Sequence, residues 1–189
     1  MIAINSTFMA TAREKAIQGI MATTRTSLFP GMVLYRFANS RREDLHFTGP
    51  WWISVSPYEA ILAWARQREQ PLSLAARQSL AIDWEWSNVD VLIRVILGQK
   101  LEAWSGTPKT QCPKIDTPTR KGLISPSGVL LTPDRPRGWN AQYKGRRWEP
   151  DRDITQLYIP GLHEADPENP KRQIWENVFG MKNWTIHLQ

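Results

Sequence analysis

The sequence predicts an α+β fold, on three observations. Runs of β-branched and aromatic residues outnumber helical patterns along the chain. The two clearest helical patterns follow one another directly, after the second strand and before the later ones. Apolar content is 41% and charged content 22% over 189 residues, enough for one domain with a packed core.

Residues 11–24 read as a short helix, because Ala12, Ala16, Ile17, Ile20 and Met21 recur at helical spacing. Pro30 and Gly31 break it. Residues 32–38 form a strand, apolar on both faces apart from Arg36. Residues 39–49 are charged and read as a loop. Residues 51–56 make a second strand, and Pro57 suits the first turn of a following helix. That helix places Ala60, Ile61, Trp64 and Ala65 on one face. A further helix covers about 72–82. Residues 89–97 are β-branched and read as a buried strand, which 100–104 extends. Strands return at 154–159 and 184–188. The division is an N-terminal helical segment at 1–30 and one domain at 31–189. A basic, proline-rich insertion lies at about 105–150.

Charge is distributed unevenly. The chain carries a net +6, and residues 105–152 hold ten basic and four acidic residues, so this stretch accounts for the whole excess. A local basic surface points to a polyanion, either nucleic acid or an acidic protein face. A solvated, Lys/Arg-rich loop is the plainer account. Within it, Trp139, Tyr143, Lys144, Arg146, Arg147 and Trp148 interleave aromatic with basic side chains. Such a pattern suits single-stranded nucleic acid, where bases stack and phosphates pair.

Cys112 stands alone and the three histidines are scattered, so neither a disulfide framework nor a metal site is expected. No apolar run approaches the ~20 residues that cross a bilayer. The first eight residues lack a secretory pattern. A cytoplasmic protein is the expectation.

Three short segments carry the chemistry: 33–37 (Val-Leu-Tyr-Arg-Phe), 52–57 (Trp-Ile-Ser-Val-Ser-Pro) and 154–160 (Ile-Thr-Gln-Leu-Tyr-Ile-Pro). Arg36 is the one charge in an apolar strand. It either binds an anion, faces water from a sheet edge, or pairs with an acid. Ser54 and Ser56 share strand parity and so one face, unless Ser56 caps the helix instead. The order Arg, then Ser-x-Ser, then a polar residue on a late strand resembles the Arg–Ser–Glu class of mono-ADP-ribosyltransferase toxins. The resemblance covers roughly 31–104 and 151–189.

That resemblance implies a core of two packed β-sheets with flanking helices and a cleft for NAD, the co-substrate, with no metal. It implies that Arg36 holds the NAD phosphates. Ser54 orders the catalytic group and the ribose, with Ser56 in support. Tyr35, Trp52 and Tyr58 line the cofactor site, with Trp51 close by. The third catalytic position departs from the family, which has Glu where this chain has Gln156. Three accounts stand open: a Glu→Gln substitution that silences a toxic enzyme, which is favoured; a natural non-catalytic binder; or service by another acid such as Asp153 or Glu149. Related enzymes occur in toxin–antitoxin and phage-defence systems and among effectors delivered into a target cell's cytoplasm. An antitoxin or chaperone contact at the first helix is therefore an expectation. The favoured activity is ADP-ribose transfer to nucleic acid, RNA above DNA. The alternatives are transfer to a protein side chain, NAD degradation, or a catalytically dead nucleic-acid-binding module.

Overall fold

A computed structural model of the chain describes residues 10–47, 49–82, 87–109, 154–162 and 184–188. The elements run α1 (Ala10–Gly19), β1 (Ile20–Leu28), β2 (Val33–Ala38), a 3-10 turn (Ser40–Leu45), β3 (Trp51–Ser54), α2 (Val55–Gln67), α3 (Leu72–Ser79), β4 (Val91–Ile96), β5 (Leu101–Pro108), β6 (Gln156–Tyr158) and β7 (Trp184–His187). Among the described residues, seven strands join one antiparallel sheet in the order β1-β5-β6-β3-β2-β4-β7. The mixed α and β character matches the expectation. Two separate sheets do not appear, because β3 pairs with β6 along one edge and with β2 along the other.

The first helix is shorter than its apolar spacing suggests. It stops at Gly19, and Ile20 opens a nine-residue strand. Gly is a poor helix residue, and the threonines at 23, 24 and 26 are β-branched. Pairing of β1 with β5 along Ile20–Leu28 decides between the two states. Residues 20–28 therefore belong to the sheet rather than to a helical appendage.

The segments 89–97 and 100–104, read as one strand, become β4 and β5, which are not sheet neighbours. The ribbon of β1 with β5 bends into the ribbon of β2 with β4. Backbone bonds hold the bend, from Gly31 N–H to Leu97 O (2.8 Å) and from Leu97 N–H to Met32 O (2.9 Å). Gly31 makes the corner with φ of +87°, a conformation open to glycine at little cost. One core cluster consequently joins residues from opposite ends of the sheet: Leu28, Leu101 and Ala103 with Leu34, Val91, Ile93 and Val95, and with Trp52 and Leu157 between them.

The other face carries the helices. Phe37, Ile53 and Leu92 pack with Ile61, Trp64 and Ala65 of α2 and Ala75 and Ala76 of α3. Farther along the same face, Ala16 of α1 and Ile20 pack on Tyr158, Trp51 and Trp104. Lys109 N–H donates to Gly19 O at 2.7 Å and satisfies an end carbonyl of α1. Among the described residues, no helix is long and apolar enough to cross a membrane.

Candidate functional site

A cavity of about 450 Å³ lies over β2, β3 and β6, walled by α1 and by the segment after α3. Its lining brings together Tyr35, Arg36, Trp52 and Gln156, residues from three distant segments of the chain. Lys15 and Gln18 of α1, Trp51, Asn39 and Arg42 complete its polar and aromatic rim. The described lining residues include three cations (Lys15, Arg36 and Arg42) and no carboxylate.

Arg36 sits where sheet pairing stops. β2 and β3 pair only through Leu34–Ser54 and Tyr35–Ile53. At the next position Arg36 Nη1 donates to Trp51 O at 3.1 Å, so the side chain occupies the seam between the two strands. Its Cζ lies 5.8 Å from the centroid of the Trp52 ring. Trp52 is buried, and its Nε1 donates to Gly49 O at 2.8 Å. The guanidinium rests directly against Gly49, where a Cβ would overlap it. A side chain at 49 would displace the guanidinium from this position. Arg36 Nε is cut off from solvent and has no hydrogen-bond partner. Burial lowers the guanidinium from its usual range to about 10. Among the described residues no carboxylate compensates this charge, leaving a desolvated cation ready for an anion.

Gln156 is buried and opens β6. Leu157 lies opposite Trp52 and Tyr158 opposite Trp51. Alternation then puts Gln156 on the helix-bearing face, with Tyr158 and Trp51. Ser54 lies opposite Leu34 and takes the core face instead. It is the last residue of β3 and the N-cap residue of α2, with no side-chain cap bond, and it is not among the cavity's lining residues. The expectation that Ser54 and Ser56 share a strand face does not hold. The strand ends at Ser54 because α2 begins at Val55, and Ser56 is exposed in the first helical turn. Tyr58 lies outside the cavity lining and stacks on Tyr35, with ring centroids 4.0 Å apart and planes at 11°. It supports the Tyr35 ring from behind.

Two further groups shape the cavity wall. Ser40 donates from N–H (2.8 Å) and Oγ (2.6 Å) to the Asp90 carboxylate, fixing the turn that carries Arg42 beside Asn39. Burial pushes the Asp90 carboxyl up, but the Ser40 bonds outweigh it and hold it below the usual 3.8. Arg77, 1% exposed, donates to Ile82 O (3.3 Å) and Ser87 O (2.8 Å), and both acceptor residues line the cavity. Neither Arg77 nor Gly49 is distinguishable in the sequence from an ordinary helix arginine and loop glycine. Lys15 and Gln18 were hidden by assigning residues 1–30 to a separate segment.

Trp139, Tyr143, Lys144, Arg146, Arg147 and Trp148, with Glu149 and Asp153, lie outside the described residues. Among the described residues, no group of three His, Cys, Asp or Glu side chains could hold a metal ion. No family model, curated protein or solved structure matches this chain.

Proposed function

We propose that the cavity binds NAD and that the chain is a mono-ADP-ribosyltransferase of toxin type, with Gln156 at the position of the catalytic carboxylate. The observation that carries this reading is Arg36, a half-buried guanidinium with an unpartnered, solvent-sealed Nε, which lines the same cavity as Tyr35, Trp51 and Gln156. A planar guanidinium matches phosphate with paired hydrogen bonds, and a bound phosphate would offset the unfavourable burial of its charge. Tyr35 and Trp51 offer aromatic surface for a nicotinamide or adenine ring.

In the transfer, the bond between ribose C1′ and the nicotinamide nitrogen breaks, and nicotinamide leaves with the electron pair. A nucleophile on the target then bonds to C1′ and gives up its proton to a base. The state between is cationic at the ribose. Gln156 can hydrogen-bond a ribose hydroxyl, but it neither opposes that charge nor takes the proton. The basic segment favours a nucleic-acid target, RNA above DNA. In this reading α1 remains a surface for an antitoxin or chaperone.

The position of Ser54, on the face opposite Gln156, favours a second reading in which the chain is a non-catalytic nucleotide-binding module and Gln156 is natural. One experiment separates the two. The chain and its Gln156→Glu variant are incubated with labelled NAD and mixed RNA, DNA and protein, following nicotinamide release and transfer of label. The transferase reading expects both forms to bind NAD and the Glu form to turn it over at least ~10²–10³-fold faster. Equal turnover in both forms leaves the binding module.

A further inference from the structure

We infer that the cavity recognises its ligand as a diphosphate through two cationic anchors on separate elements, Arg36 at depth and Lys15 of α1 at the mouth. In choosing a diphosphate, the inference rests on the NAD reading. α1 is then part of the ligand site.

Three observations support this. The first is the charge of the lining, which holds Lys15 and Arg36 and no carboxylate among the described residues. Such a cavity attracts net-anionic ligands and disfavours net-cationic ones, and its low-dielectric walls extend the field inward. The second is the difference in depth. Arg36 has an Nε sealed from solvent, whereas Lys15 is exposed while still lining the same cavity. A monophosphate held by Arg36 would leave the mouth charge unused. A second phosphate toward the mouth would use it. The third is how firmly α1 is seated. Ala16 is fully buried against Tyr158, Trp51 and Trp104, and Arg13 lies 6.0 Å from the Trp104 ring centroid. Lys15 therefore stands next to a fixed residue, and its four-carbon stem sweeps a limited volume over the opening.

The division of labour follows from desolvation. The half-buried guanidinium, with its Nε sealed from solvent, contributes most of the affinity, because its hydrogen bonds form largely away from water. The exposed ammonium contributes a smaller, salt-sensitive share and discriminates between one phosphate and two.

The test titrates the full chain and its Lys15→Met and Lys15→Arg variants with ADP-ribose, adenosine monophosphate and inorganic pyrophosphate by calorimetry. Lys15→Met should weaken ADP-ribose and pyrophosphate about tenfold, with little change for the monophosphate. Lys15→Arg should restore most of the loss. The difference between wild type and Lys15→Met should shrink as salt rises. Unchanged ADP-ribose affinity in Lys15→Met, or an equal loss for the monophosphate, overturns the inference. If Arg36→Met abolishes NAD binding while Lys15→Met does not weaken it, the second anchor falls and the NAD reading stands. If the wild type binds pyrophosphate in a Lys15-dependent way but not NAD, the NAD reading falls and the two-anchor site stands.

Discussion

Replacing Arg36 with Met should leave the protein at least as stable and unable to bind its ligand. Burial lowers the guanidinium from its usual range to about 10, which corresponds to about 3 kcal/mol of disfavoured charge. At neutral pH it is protonated in both the folded and the unfolded chain. Because the folded value is the lower one, the penalty is fully present below about pH 10 and relaxes only as pH climbs toward the higher value of the unfolded chain. Met removes the charge and keeps an unbranched apolar stem beside Trp52. It also loses the charge-assisted hydrogen bond to Trp51 O, about 1.5–3 kcal/mol. The expected net gain is about 0–1.5 kcal/mol, or roughly 0–6 °C in Tm for a chain of this size. Denaturant and thermal unfolding of both forms measure it, alongside calorimetry with ADP-ribose, where affinity should fall at least ~100-fold. A loss of stability above about 1 kcal/mol would show that Arg36 is a structural strut, and would remove the principal support for a functional site.

Gly49→Ala should weaken ligand binding at least ~10-fold by displacing the guanidinium, and in a double-mutant cycle its effect on stability should shrink when Arg36 is already Met. Asp90→Asn should flatten the acid limb of the stability curve: a carboxyl held below 3.8 contributes stability that is present above that value and lost as pH falls through its folded value. Acid unfolding followed by circular dichroism reads this, and identical acid limbs would detach Asp90 from the turn. Neutralising Lys144, Arg146 and Arg147 together should weaken binding to single-stranded RNA and reduce its salt dependence. Unchanged affinity in a filter-binding titration would redirect the target to protein.

Most element types were legible because they depend on local chemistry. The apolar strand around Arg36, the helix opening after Ser54 with Ile61, Trp64 and Ala65 inward, and the strands at 91–96, 156–158 and 184–187 all follow from short-range patterning. An isolated arginine in such a run already implies an unusual environment. Pairing was hidden. Residues 20–24 look helical by spacing, yet they belong to the strand Ile20–Leu28 because β5 offers them a ladder. Segments 89–97 and 100–104 read as one strand, but they become β4 and β5 and enter the sheet at different places because the paired ribbon turns at Gly31 and Leu97.

The candidate site divides along the same line. The lone charge in an apolar strand singled out Arg36, the family resemblance proposed Tyr35, Trp52 and Gln156, and the fold brings all four to the lining of a single cavity. Strand parity placed Ser54 and Ser56 together, but one residue of helix initiation separates them, and antiparallel register sends Ser54 and Gln156 to opposite faces. Parity fixes which residues of one strand share a face. Only hydrogen-bonded register fixes how the faces of different strands align, and register depends on partners far away in the chain. The contributions of Gly49 and Lys15 depend likewise on long-range contacts, a guanidinium thirteen residues from one and a cavity wall supplied by the other.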